Sequence, residues 1–191
     1  MKTGDFKILV SAALLWILLS SVAFAQSKNF EGFSLAIDYS LNAITDKSTP
    51  GGSETSNSGI PSITIDYFKA INAEWLIGAY GTYDLVTTDT TGADPDAHHP
   101  IEAGAKLGLA LSEKSMAYAK LGYSGSKYSS PGYYQWIHGP SYGMGIEYLL
   151  TKHMFTRVEV SQQSYKTIYW SDGSSDKVWI NSYGISLGWK F

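Results

Sequence analysis

From Phe33 onward the chain alternates apolar with small or polar residues at a period of two, the repeat of a β-strand rather than a helix. Phe33, Leu35, Ile37, Tyr39 and Leu41 alternate with Ser34, Ala36, Asp38 and Ser40, and Ile63, Ile65 and Tyr67 alternate with Ser62, Thr64 and Asp66. A third segment sets Trp75, Ile77, Ala79, Gly81, Tyr83 and Leu85 against Leu76, Gly78, Tyr80, Thr82 and Asp84. The fourth opposes Ile101, Ala103, Ala105, Leu107, Leu109 and Leu111 to Glu102, Gly104, Lys106, Gly108 and Ala110. In the fifth, Ala117, Ala119, Leu121 and Tyr123 face away from Tyr118, Lys120 and Gly122. Tyr142, Met144, Ile146, Tyr148 and Leu150 against Gly143, Gly145, Glu147 and Leu149 form the sixth. Val158 and Val160 against Arg157, Glu159 and Ser161 form the seventh, which fades near Gln163. The last runs through Trp179, Tyr183, Ile185, Leu187, Trp189 and Phe191, with Ser182, Gly184, Ser186, Gly188 and Lys190 between. The pattern predicts eight antiparallel strands.

Polar stretches at 42–58, 87–100, 124–138 and 163–176 read as long loops, and short turns fall near 70–74, 112–115 and 151–153. Long and short connections in strict alternation are the signature of an outer-membrane barrel, with short periplasmic turns and long extracellular loops. A soluble, lipocalin-like barrel of eight strands would alternate too, with the apolar face turned inward. Loop asymmetry, a terminal aromatic at Phe191 and glycines on the polar face favour the outward-facing arrangement. The expected fold is an all-β, up-and-down transmembrane β-barrel. Trp75, Trp189 and Phe191 then form an inner aromatic belt, and Tyr39, Tyr83, Tyr123, Tyr142 and Trp179 an outer one. Trp189 and Phe191 also serve as the expected signal to the barrel-assembly machinery.

Residues 1–25 read as a cleavable export signal: Lys2 and Lys7, an apolar run from Ile8 to Leu19, then Ala23-Phe24-Ala25. The run falls short of the roughly 20 residues that a spanning helix needs. Export through the Sec pathway and a mature barrel domain at 26–191 are expected, with no further domain after Phe191. The chain has no cysteine, so neither a lipid anchor nor a disulfide framework is expected. A net charge of −3, which loss of the signal makes more negative, gives no basic face for nucleic acid.

The inward positions carry Asp38, Asp66, Glu102, Glu147 and Glu159 against Lys106, Lys120, Arg157 and Lys190. The interior of an eight-stranded barrel has room for little besides side chains. Opposite charges there must pair, because an unpaired buried ion costs several kcal/mol or more. The leading expectation is a lumen plugged by ion pairs. The alternative is a narrow water-filled path, a small low-conductance pore whose selectivity is set by the same residues.

His98-His99 beside Asp94 and Asp96 has metal-ligand chemistry, yet adjacent residues rarely serve one tetrahedral site and an ordinary solvated loop is the simpler reading. No metal and no cofactor are expected. His138 and His153 lack the Ser–His–carboxylate pattern that nucleophilic catalysis needs, and no catalytic residue is expected. Tyr128, Tyr133, Tyr134 and Trp136 form either a recognition patch, which would make the protein a loop-mediated adhesin, or aromatics lying on the outer interface.

Ala105-Lys106-Leu107-Gly108, Tyr118-Ala119-Lys120-Leu121-Gly122, Gly145-Ile146-Glu147-Tyr148, Thr156-Arg157-Val158-Glu159 and Leu187-Gly188-Trp189-Lys190-Phe191 resemble, in order and spacing, blocks of the small outer-membrane β-barrel superfamily that includes the OmpA transmembrane domain. The resemblance implies a lumen filled by an ionic network, with Lys106, Lys120, Glu147 and Arg157 at matching positions. It departs at Tyr80, where OmpA-like members carry an acidic residue. A switch by exchange of acidic partners then requires Glu102, Asp66 or Asp38 to substitute. The implied setting is the outer membrane of a Gram-negative bacterium, with lipid and lipopolysaccharide as surroundings, a monomeric state, and possible host or surface ligands at the loops.

Overall fold

The computed structural model describes residues 26–191 except 87, 90–95, 131–132, 170–172 and 174; side chains of a few flanking strand residues are also outside the description. Eight long strands follow one another: β1 (Gly32–Thr49), β2 (Ser53–Ala70), β3 (Trp75–Asp84), β4 (Asp96–Ala110), β5 (Ser115–Ser130), β6 (Tyr133–Leu149), β7 (Met154–Ser164) and β8 (Ser175–Lys190). Each pairs antiparallel with its chain neighbour, and β1 pairs with β8 from Ser34↔Lys190 to Thr49↔Ser175. The sheet is thereby closed and has no free edge, which is what backbone polar groups require in hydrocarbon. Two short strand pieces, Thr88–Asp89 and Ile168–Tyr169, extend the ladders of β4 and β8.

The parity of every segment matches the sequence pattern. Leu35, Ile37, Leu107, Leu121, Met144, Val158, Ile185 and Leu187 are all exposed on the outside, whereas Asp66, Lys106, Glu147 and Arg157 are buried within. Leu109 and Ile146 are half-buried and on the outer face. Large apolar side chains exposed on every strand, around a charged interior, are the inverse of a water-soluble core. Tyr39, Tyr83, Tyr123, Tyr142 and Tyr183 ring the outer end of this band, and Trp75, Tyr148 and Trp189 the inner end. Trp179 differs from expectation. It pairs with Thr45, two outward rungs above the Leu41–Tyr183 pair, and so stands beyond the belt.

The three inner turns share one construction. Asn72 Oδ1 accepts from the backbone N–H groups of Glu74 and Trp75, Ser112 Oγ from Lys114 and Ser115, and Thr151 Oγ1 from His153 and Met154. Short polar side chains thus replace the ladder where the chain reverses.

The polar stretches at 42–58 and 124–138 are mostly strand, not loop: β1–β2 pairing continues to Lys47↔Ser53, and β5–β6 pairing to Ser130↔Tyr133. Likewise β4 begins at Asp96. Period-two alternation needs an apolar environment on one side; beyond the lipid both faces are wet, so alternation ends while the hydrogen-bonded ribbon continues.

Candidate functional site: the barrel lumen

The lumen is layered. At the inner mouth a 3₁₀ turn, Ser27–Phe30, crosses the opening, its Ser27 N–H donating to Ala73 O at 2.9 Å and Asn29 Nδ2 to Glu113 O at 3.0 Å. It delivers Phe30 into a cluster with Phe68, Leu76, Met116 and Phe155, all fully buried. Glycines on facing strands make room for these rings. A Cβ at Gly78 would lie 2.7 Å from Phe68 Cδ1, and one at Gly188 would lie 2.7 Å from Phe155 Cε2. On the rim outside, Lys69 donates to Glu31 at 2.8 Å, and that hydrogen bond holds the Glu31 carboxyl below its ordinary range.

Above this apolar layer lies the first ionic one. Asp66 accepts from Lys106 Nζ through Oδ1 and from Arg157 Nη2 through Oδ2 at 2.8 Å. Arg157 Nη2 also donates to Glu147 Oε2 at 2.9 Å. Lys190 Nζ stands 3.8 Å from Glu147 Oε1 and donates to Phe30 O at 2.7 Å. A second layer centres on Lys120, 2.7 Å from Glu159 and 3.2 Å from Glu102. Glu102 accepts from Tyr80 Oη, from Ser141 Oγ at 2.9 Å and from Gln163 Nε2 at 3.1 Å. Tyr118 Oη donates to Glu159 at 2.6 Å, and its ring lies 4.8 Å from the Lys106 ammonium. A Cβ at Gly145 would lie 2.6 Å from Tyr118 Cζ; a side chain there would displace the ring from the network.

Every strand except β1 supplies a member. The arrangement holds four cations against four carboxylates, the condition under which buried charge is tolerable; all are hydrogen-bonded within it except Lys190, which bonds Phe30 O instead, and Glu147 Oε1 and Arg157 Nε are buried without a hydrogen-bond partner among the described residues.

Eight of the nine residues expected in the lumen network are thus brought together; Asp38 is not. It lines a cavity of about 70 Å³ that runs along both ionic layers, with Asn42, Asp84, Glu102, Lys106, Lys120 and Arg157 also in its wall. Asp38 Oδ2 and Asn42 Oδ1 are enclosed there without a protein partner. A second apolar cluster, Ile44, Ile137, Tyr165, Val178 and Ile180, stands toward the outer mouth. Tyr165 Oη donates to Gln163 at 2.9 Å and is 3.0 Å from Ser124 Oγ.

Trp189 is half-exposed on the outer wall, its ring stacked on His153 at 5.6 Å. Phe191, 78% exposed, donates its N–H to Phe33 O at 3.0 Å. Trp136 is 63% exposed on the outer extension of β6. The side chains of Tyr128, Tyr133 and Tyr134, Asp94, the side chains of Asp96, His98 and His99, and the export segment 1–25 lie outside the described residues. Sequence reasoning missed the inner apolar layer and the part of Ser141 and Gln163. One available signal was adjacent apolar pairs at the inner strand ends, Tyr67-Phe68, Trp75-Leu76 and Met154-Phe155, where alternation breaks.

Residues 11–191 match the outer membrane protein beta-barrel domain. The chain belongs to that family. It is accordingly a protein of the Gram-negative outer membrane. Among curated proteins no sequence matches it. In fold it is similar to Ail, the attachment invasion locus protein of Yersinia pestis, in a complex with the heparin analogue sucrose octasulfate (TM-score 0.55, 14% identity, 84% of this chain and 99% of that one). Neisserial surface protein A is similar too (0.52, 15%, 84% and 100%), as is OprG of Pseudomonas aeruginosa (0.51, 12%, 84% and 97%). At these identities the likeness is one of fold.

Proposed function

We propose that the protein is a non-enzymatic outer-membrane barrel whose lumen is closed and whose work is structural: it contributes to the envelope and carries four extracellular ribbons and loops. The observation that carries this reading is the pairing of Asp66, Glu102, Glu147 and Glu159 with Lys106, Lys120, Arg157 and Lys190 across six strands, above a layer of five buried apolar side chains. An ion entering from outside meets charges that are already neutralised and then a dry layer, and crossing either needs several paired groups to separate at once. The protein is exported by the Sec route, is assembled by the machinery that reads Trp189 and Phe191, and is a monomer surrounded by lipid and lipopolysaccharide. The test is conductance of the purified protein in a planar bilayer. The closed reading expects a baseline current, whereas steady channels would establish the small-pore alternative.

A second reading has its own support. Trp136 is largely exposed on the outer β5–β6 ribbon, and the similarly folded Ail has been crystallised with a heparin analogue. On this reading the ribbons recognise a host or surface ligand. Trimming residues 43–57 and 125–136 would then abolish attachment while heat-modifiable migration of the barrel persists.

A further inference from the structure

The outer face of the seam where β1 joins β2 and β8 is graded in chemistry from bottom to top. Lowest is a recess of about 280 Å³ beside Leu41, Ala43, Gly59 and Tyr183. Leu41, Ala43, Gly59 and Tyr183 are outward positions and Asn57 also borders the recess; the Tyr39 ring crosses the space over Gly59, where a Cβ would lie 2.9 Å from Tyr39 Cζ. The next rungs place Asn57 and Asn181 opposite Ala43, then Thr55 and Trp179 opposite Thr45. Thr45 and Thr55 hydroxyls are 3.1 Å apart. At the top, Lys47 and Lys177 face each other directly across the ladder, both exposed.

Like charges directly opposite in a sheet destabilise it, and neither lysine forms an ion pair among the described residues. The Lys177 ammonium stands 5.9 Å from the Trp179 ring. Asp46, Glu54 and Asp176 stand on the rungs next to the lysine pair, at positions whose parity faces the opposite side of the sheet. The wall sorts its charge, acids inward and lysines outward.

We infer that this seam binds a phosphorylated glycolipid of the outer leaflet, of the lipid A class. Acyl chain lies in the recess, sugar hydroxyls meet the Asn57, Asn181, Thr45 and Thr55 rungs with the Trp179 ring alongside, and phosphate bridges Lys47 and Lys177. From Leu41 to Lys47 the strand rises about 3.3 Å per residue, about 20 Å in all, or about 14 Å along the membrane normal at a tilt of about 45°, a span that takes in the sugars and the upper part of the acyl chains. A plain phospholipid would satisfy the lysines and the recess but bring no sugar hydroxyls to the hydrogen-bonding capacity that the amide and hydroxyl rungs keep beyond the Thr45–Thr55 and Gln162–Asn181 bonds. The inference rests on the orientation proposed above, with the long ribbons outside.

The test uses full-length protein purified in detergent, with bound lipid followed by native mass spectrometry. The probes are bisphosphorylated lipid A, the same lipid A with its phosphates removed, and phosphatidylglycerol. Wild type is expected to hold lipid A at least tenfold more tightly than either other lipid. K47Q/K177Q should lose that preference, and Ala43→Trp, which fills the recess, should weaken binding of both forms of lipid A. Undiminished lipid A binding by K47Q/K177Q, or equal retention of phosphatidylglycerol by wild type, would overturn the site. Heat-modifiable migration of each variant establishes that it is folded. Exposure of the 42–58 ribbon on intact cells, probed by protease, separately tests the orientation, so failure of the site and failure of the orientation are told apart.

Discussion

Lys106 and Lys120 are directly opposite in the β4–β5 ladder, and the ring of Tyr80 lies 4.9 Å from one ammonium and 5.1 Å from the other. Two cations at one rung repel, and they are tolerated because each has its own carboxylates, Asp66 for Lys106 and Glu102 and Glu159 for Lys120. The aromatic face between them adds a cation–π contact to each. The Tyr80 hydroxyl in turn donates to Glu102 on the neighbouring strand.

Removing only the hydroxyl should therefore cost less than removing the ring. Tyr80→Phe leaves Glu102 one donor short and is expected to lower stability by about 1–2 kcal/mol. Tyr80→Leu also loses both cation contacts and should cost more. Urea unfolding of the refolded barrel in detergent separates the two; equal midpoints would mean that the ring contributes nothing.

Asp66 carries the largest consequence of any single carboxylate, because it accepts from both Lys106 and Arg157. Asp66→Asn leaves two buried cations short of charge, and a loss of about 3–5 kcal/mol is expected. Replacing Asp66 with Leu together with Lys106→Met removes a whole pair, leaves Arg157 on Glu147, and should recover part of the loss. A double variant no better than Asp66→Asn, measured by the same urea midpoint, would contradict the pairing.

Gly188 and Phe155 form a matched small and large pair at the inner mouth. Gly188→Val forces the ring from its place, with an expected cost of about 1–3 kcal/mol from overpacking. Phe155→Leu should relieve that strain, so the combined variant is expected to be more stable than the sum of the separate losses implies. A double-mutant cycle with no coupling would place the ring elsewhere.

Burial, with the Asp176 and Glu54 carboxyls beside it, raises the Asp46 carboxyl above its ordinary range. A raised acid favours the folded ribbon while protonated, and that stability is lost as pH rises through the folded pKa. The β1–β2 ribbon should therefore tighten as pH falls from neutral toward 4. Hydrogen exchange of amides 44–56, corrected for intrinsic rates, should slow accordingly, and Asp46→Asn should give the slower exchange already at neutral pH. Exchange that quickens on acidification would reverse the assignment.

Within the lipid band the fold was fully legible, because lipid on one side and a crowded lumen on the other impose alternation on every strand; even the third segment, with Leu76 and Tyr80 inward, keeps its parity. The ribbons above the band were not, since water on both faces removes the signal while Thr45↔Thr55 and Lys127↔Trp136 pairing persists. The charged members of the lumen network could be named from parity alone. Their partners could not, because the stagger of the strands decides that Asp66 meets Arg157, from a strand 91 residues away in sequence. Asp38 shows the limit: its parity is inward, yet it stands outside the network.

The apolar face of each strand meets lipid, and the charged face meets itself. The absence of native cysteine permits single nitroxide labels at Leu107, Leu121, Met144 and Ile185, compared with labels at Ser62 and Ser182 on the inner wall, in reconstituted bilayers. Accessibility to oxygen, which partitions into hydrocarbon, should exceed accessibility to a water-soluble nickel chelate at all four outer sites and at neither inner one. Outer sites relaxed by the chelate and shielded from oxygen would mean that the barrel is turned the other way.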